Sequence, residues 1–333
     1  MPAQLIIIVA TAAFLITALL GFFIIPMLRR LKFGQTILDI GPKWHKEKEG
    51  TPTMGGIMFI IGITVSVVIA VILIPSFGVS FAPIDDVKLW AGVGLAIFLG
   101  FIGFLDDFIS INKKRNKGLS AKQKTFLQLL VISAYLATIY FAGDLSTRVW
   151  IPFVQGAGVD FGLFYYPLML IGIYSMVNAV NLTDGVDGLC ASVTAVCSAV
   201  LVMCAGALTT YSVYILGVAV AAAMIGYLIW NLKPAKVFMG DTGSMFLGGI
   251  VVAMAVGIDK PLILIFCGGI YIIEALSVVL QVISFKLTKK RIFKMSPIHH
   301  HFEMSKWSEN KIVIVFTLIT AILGGVGYLA VII

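Results

Sequence analysis

The feature that most limits what this chain can fold into is the length of its apolar runs. Leu5 to Leu28 carries no charged residue, and Leu262 to Phe285 carries only Glu274. A helix needs roughly 20 apolar residues to cross the hydrocarbon core of a bilayer. Lipid offers no hydrogen bonds to a bare backbone, so a run of this kind has to satisfy its own amides as a helix. Ten runs qualify: 4–28, 54–75, 88–106, 125–143, 161–180, 189–207, 210–231, 243–258, 261–286 and 311–332. The expected fold is therefore all-α and integral to a membrane, a single polytopic domain of ten transmembrane helices over 1–333. Charged residues make up 12% of the chain, against about 25% in a soluble domain.

Between these spans the connecting segments alternate sides. The side holding 29–53, 107–124, 181–188, 232–242 and 287–310, with the flanking Lys286 and Lys311, carries 21 of the 24 Lys and Arg residues. The other side keeps Lys88, Arg148 and Lys260. Cytoplasmic loops hold the excess of Lys and Arg, so the first side is expected to be cytoplasmic and both termini extracytoplasmic. The net charge of +8 is thus mainly a signal of topology, and nucleic acid is not an expected partner; the lipid bilayer is. A small extracytoplasmic hairpin is expected over 148–163, around Gln155-Gly156-Ala157-Gly158. No cleavable signal peptide is expected, because the first run has no basic stretch before it. Cys190, Cys197 and Cys204 recur at sevens within an apolar run, which suits helix packing better than disulfides or metal binding.

Polar residues that a membrane protein would normally avoid gather on the cytoplasmic side. Asp106-Asp107 closes the third span, where a helix dipole favours cations. Asn178, Asn181, Asp184 and Asp187 follow the fifth span, and Asn231, Lys233, Lys236, Phe238 and Asp241 the seventh. His299-His300-His301 and Glu303 follow the ninth. Ionisable groups at membrane level are costly and are functional candidates. Each group also has an ordinary reading: Asp241 as the cap of a helix starting near Gly243, the Asp/Asn segment as a turn, the histidines as a solvated surface segment. Adjacent histidines without a fourth ligand argue against zinc. Glu274, Ser277, Gln281 and Ser284 form a stripe on the ninth span, which suits a wet groove or hydrogen bonding between helices. Carboxylates, lysines and a helix N-terminus at one interface suit a hard cation and phosphate, and so phosphoryl transfer between a soluble nucleotide and a lipid. A transporter would instead be expected to place its charges near the midplane, in repeated broken helices.

Five segments in order carry a resemblance: GTPTMGG (Gly50–Gly56), FLDDF (Phe104–Phe108), NAVNLTDGVDGL (Asn178–Leu189), VFMGDTGS (Val237–Ser244) and SPIHHHFE (Ser296–Glu303). Together they resemble the phospho-N-acetylmuramoyl-pentapeptide-transferase family, within the polyprenyl-phosphate N-acetylhexosamine-1-phosphate transferases, over nearly the whole chain. The resemblance implies a bacterial inner-membrane enzyme with its active site on the cytoplasmic face. Its reaction would be UDP-MurNAc-pentapeptide plus undecaprenyl phosphate to lipid I plus UMP, with Mg²⁺ as cofactor and a homodimer as the assembly. The HHHFE form points to this branch over one that uses UDP-GlcNAc.

Residue by residue, the resemblance gives Asp241 the metal. Asp106, Asp107 and His299 would join it in catalysis, the two aspartates serving the acceptor phosphate or the metal. Asn181, Asp184, Asp187, Asn231 and Phe238 would shape the nucleotide site, with Phe238 on the uracil. Lys48, Thr53, Lys122, Gln281, His300 and His301 would make further substrate contacts. A direct attack by the acceptor phosphate is expected rather than a phospho-sugar intermediate on Asp107, because the acceptor is already an anionic nucleophile.

Overall fold

The computed structural model describes residues 1–31, 50–112, 118–144, 146–156 and 158–333. Lys48 lies outside them. Among the described residues ten helices are long and apolar enough to cross a membrane, and the chain is a multi-pass membrane protein. They are α1 (Ala3–Arg30), α2 (Gly56–Leu73), α3 (Pro83–Asn112), α4 (Ala121–Phe141), α5 (Tyr165–Thr183), α6 (Leu189–Ala207), α7 (Tyr211–Asn231), α8 (Gly240–Gly257), α10 (Gly269–Thr288) and α12 (Glu309–Ile332). The short helices α9 (Leu264–Cys267) and α11 (Ile298–Glu303) complete the set. Strands β1 (Arg148–Val149) and β2 (Val159–Asp160) pair antiparallel, Arg148 opposite Asp160.

The helix α8 is the axis of the bundle. Every residue from Thr242 to Gly257 is buried, whereas α1, α4, α10 and α12 turn rows of large apolar side chains outward, such as Phe22, Phe126, Leu280 and Ile322. Outward apolar rows suit lipid, which is no less apolar than leucine. Close approach to α8 depends on small residues. A Cβ on Gly103 of α3 would stand 2.1 Å from the carbonyl oxygen of Asp241, and one on Gly249 would stand 2.9 Å from the Cα of Ala96. All four cysteines are buried and free.

Two of the expected spans change at the end that matters. The third span does not stop at 106, because α3 runs on to Asn112. The ninth span is not one helix over 261–286. A 3-10 turn, Pro261–Ile263, and α9 precede a break at Gly268, and α10 starts at Gly269. Proline at the start of the turn lacks an amide, and glycines 268 and 269 weaken helix continuity there.

At the end of α3 away from Asp106, the buried Lys88 reaches Asp144 at 2.9 Å and Asp259 at 2.7 Å. One ammonium therefore ties α3 to the segments that follow α4 and α8.

Candidate active site

The site is built on the first turn of α8. Gly240 enters the helix at φ +68, a conformation that glycine adopts freely and L side chains rarely do. The next two amides then point at Asp107 of α3. Asp241 N–H and Thr242 N–H donate to its carboxylate at 3.2 and 3.0 Å, and the Thr242 hydroxyl donates at 2.7 Å. Asp107 thus satisfies, from another helix, the orphan amides that a capping residue would satisfy from within. Its charge stands at the positive end of the α8 dipole.

Two expectations are corrected here. Asp241 does not cap α8: the helix begins before it, at Gly240, and its side chain is turned elsewhere. Asp107 is not an acid stranded at the wrong end of its own helix; it serves the right end of a neighbouring one.

The Asp241 carboxylate lies between two other helices. Lys124, in the first turn of α4, forms an ion pair with Oδ2, and Asn181 Nδ2 of α5 donates to Oδ1 at 2.8 Å. Asn181 also donates to Ser244 Oγ at 2.8 Å, and that hydroxyl donates to the Gly240 carbonyl at 2.9 Å. Asp106 accepts the Leu119 amide at 2.9 Å, and its carboxylate is a near neighbour of Asp241. Thr53 closes the group: a Cβ on Gly240 would stand 2.7 Å from Thr53 Oγ1 and 2.5 Å from Asp107 Oδ2. Helices α3, α4, α5 and α8 thereby bring together Asp106, Asp107, Asp241 and Asn181, with Thr53 beside them.

Among the described residues, three carboxylates face one ammonium in this group, so it has room in charge for a further cation. Among the described residues no three His, Cys, Asp or Glu side chains form a ready metal cage. Mg²⁺ does not need one, since it is usually held by one or two carboxylates and keeps its other positions for water and substrate phosphates. The adjoining carboxylates of Asp106 and Asp241 are oxygen donors of that kind, and the set fits a hard cation.

A second group shapes the backbone around the first. Asp187 accepts the Ala235 amide at 3.0 Å. Asn231 accepts the Gly188 amide at 3.1 Å and donates to the Val237 carbonyl at 2.9 Å. Phe238 exchanges backbone hydrogen bonds with the segment before α2, its amide donating to Pro52 and its carbonyl accepting from Gly55, both at 2.8 Å, while its ring is half-buried. Asp184 ends α5 as its C-cap residue. These residues bind the 184–188 turn and the Gly50–Gly56 segment to the stretch that leads into Asp241.

The histidine tract forms α11. His299 is buried, with Nδ1 3.0 Å from Glu274 Oε2 on α10, and no bond joins it to the three aspartates. His300 Nδ1 lies 2.6 Å from Glu303 Oε2, and His301 Nδ1 accepts the Lys294 amide at 3.1 Å. Gln281 is committed to backbone: it accepts the amides of Ile292 and Phe293 at 3.0 and 2.9 Å and donates to the Phe293 carbonyl at 3.0 Å. Lys122 is exposed.

The chain matches the model of glycosyl transferase family 4 over residues 89–259, which contains the whole aspartate group. It also matches signature 1 of phospho-N-acetylmuramoyl-pentapeptide-transferase over residues 48–60. The transferase of that name from Clostridium perfringens is 47% identical over 312 residues, 93% of either chain. That from Halalkalibacterium halodurans is 46% identical over 91% of this chain and 90% of its own length. That from Bacillus pumilus is 43% identical over 97% and 98%. The chain belongs to the phospho-N-acetylmuramoyl-pentapeptide-transferase family.

Two polar residues of this transferase's site were not among the sequence candidates. Lys124, rather than Lys122, meets Asp241, and Ser244 joins Asn181 to the α8 start. The helical period held the clue to the first. Ser120 and Gln123 form a capping box that starts α4, and two positions apart on that helix Lys122 and Lys124 lie on opposite faces.

Proposed function

We propose that this chain transfers phospho-MurNAc-pentapeptide from UDP-MurNAc-pentapeptide to undecaprenyl phosphate, giving lipid I and UMP. One observation carries the reading: in a chain that matches transferases of that name over 91–97% of its length, Asp106, Asp107 and Asp241 converge from two helices beside Lys124. The chain would reside in the bacterial inner membrane, with this site on the cytoplasmic face and both termini outside. The distribution of lysine and arginine supports that orientation, since the site lies among the basic segments. A homodimer belongs to the same proposal on the family resemblance. Native mass spectrometry at twice the 35.9 kDa of one chain checks it.

In this reaction an oxygen of the acceptor phosphate bonds to the β-phosphorus of the donor. The bond from that phosphorus to the bridging oxygen breaks, and its electron pair leaves with UMP. Positioning and charge neutralisation do most of the work in such transfers. Asp241 and Asp106 would hold Mg²⁺, which when bound would neutralise charge on the donor's phosphates. Lys124 would offset further negative charge at the same place. Asn181 would keep the Asp241 carboxylate oriented. Asp107 accepts three hydrogen bonds from the start of α8, and a carboxylate so engaged is a poor nucleophile. That supports direct attack by the acceptor over a phospho-sugar intermediate on Asp107.

The test is UMP release by purified protein with undecaprenyl phosphate present. UDP-MurNAc-pentapeptide should turn over far faster than UDP-GlcNAc. Equal or reversed rates would move the chain to the branch that uses the smaller donor.

A further inference from the structure

Glu274 stands on α10, fully buried in a helix apolar enough to cross a membrane. A carboxylate in such a place is a functional candidate, yet it makes no contact with the aspartate group. It faces the first histidine of α11. Its Oε2 is 3.0 Å from His299 Nδ1 and accepts the His299 amide at 3.4 Å. Its Oε1 and both ring nitrogens of His299 are buried without a hydrogen-bond partner among the described residues, so Oε2 and Nδ1 stand close without the alignment of a hydrogen bond.

The other edge of the imidazole lies on the turn after α5. A Cβ on Gly185 would stand 2.2 Å from His299 Nε2 and 2.7 Å from Cε1. The ring therefore fills the space that Gly185 leaves by having no side chain. Contact runs from Glu274 through His299 to Gly185, and Gly185 sits between Asp184 and Asp187. Asp187 in turn holds the Ala235 amide, in the stretch that leads to Phe238 and Asp241. Three hydrogen bonds from Gln281 to residues 292 and 293 bind the preceding segment to the same helix. The polar stripe of α10 is thus the surface on which the histidine segment docks.

We infer that Glu274 is a positioning residue for the nucleotide donor: it fixes the His299 ring, and the ring sets the 184–188 turn. A carboxylate 3.0 Å from Nδ1 attracts the ring edge that carries a proton, which resists a flip of the ring. His299 then acts as a spacer behind the turn. The inference rests on the transferase reading above, and on the turn belonging to the donor's side of the site.

The experiment compares Glu274→Leu with Glu274→Gln, since glutamine keeps an acceptor oxygen at the same reach and leucine does not. Wild-type turnover is measured first; its absence overturns both the transferase reading and this inference. With Glu274→Leu, the donor KM and the Kd for UMP should rise about ten-fold or more, while the acceptor KM stays within about two-fold. Glu274→Gln should bring the donor KM back to within about three-fold of wild type. Should the leucine variant not accumulate as folded protein, Gly185→Ala displaces the same ring from the other side and should reproduce the rise in donor KM. Wild-type behaviour in the leucine variant, or in Gly185→Ala where that variant stands in for it, would overturn the inference alone. So would donor and acceptor KM rising together, or a glutamine variant as impaired as the leucine one.

Discussion

Asp241 and Lys124 show how much one ion pair decides at the scale of a residue. The Asp241 carboxylate is only partly buried, so the pair is worth little as a stabilising bridge; its value lies in where it holds the two charges. Replacing Lys124 by Met should lower kcat by about 10²–10³-fold, the usual loss when one preorganised charge stabiliser is removed. Lys122→Ala should remain within about three-fold of wild type, as an exposed side chain away from special features does. Steady-state kinetics on the two variants side by side check this, and equal losses would return the role to Lys122. Asp241→Asn keeps the Asn181 and helix geometry but halves what a cation can bind. It should fold and show little turnover at any Mg²⁺ concentration. Chelation of divalent metal from wild-type enzyme should likewise abolish turnover reversibly, with helix content by circular dichroism unchanged.

Helix α8 is held at its first turn by a side chain from α3, so the relative placement of the two helices is also the relative placement of the aspartates. Asp107→Ala removes the acceptor for two amides and a hydroxyl. It should cost roughly 1–2 kcal/mol of stability, in the range of a lost helix cap, besides its effect on turnover. Gly103→Ala puts a methyl 2.1 Å from the Asp241 carbonyl oxygen and forces α3 and α8 apart. Overpacking of this kind costs about 1–3 kcal/mol, and a displacement near 1 Å among reacting groups costs about 10²-fold in rate. A nearly inactive yet folded Gly103→Ala enzyme is the expected result. Full activity would show that the aspartates tolerate movement between the two helices.

Across the molecule the aspartate group sits at one end of α3 and the Lys88 clamp at the other. Lys88 joins α3 to Asp144 and Asp259 far from the aspartate group. Lys88→Met should lower thermal stability in detergent by roughly 1–3 kcal/mol, less than a fully buried pair would lose because the Asp259 side chain is 70% exposed. Activity per folded molecule at low temperature should stay within about two-fold, since the replacement fits a long apolar stem and touches no site residue. A loss of turnover without a loss of stability would mean that this end is coupled to the chemistry.

What the sequence determined by itself was the set of elements. Ten helices follow from ten apolar runs, because a backbone in lipid has no other partner for its amides, and the one-sided lysines and arginines carry the expected orientation. Five segments in order sufficed to point to the family. What only the tertiary structure decided was which of the polar residues in those segments meet. The sequence offered Asp107, Asp241 and Lys122 as neighbours of helix ends and did not single out Lys124. Helix packing gave Asp107 to the α8 amides, Asp241 to Lys124, and left Lys122 outside. It also turned Gln281 toward residues 292 and 293, and His299 toward Glu274 and the 184–188 turn, rather than toward the aspartates. Local pattern fixes a helix and the face it buries, but a contact between residues more than a hundred positions apart depends on how small side chains such as Gly103 and Gly240 let two helices approach.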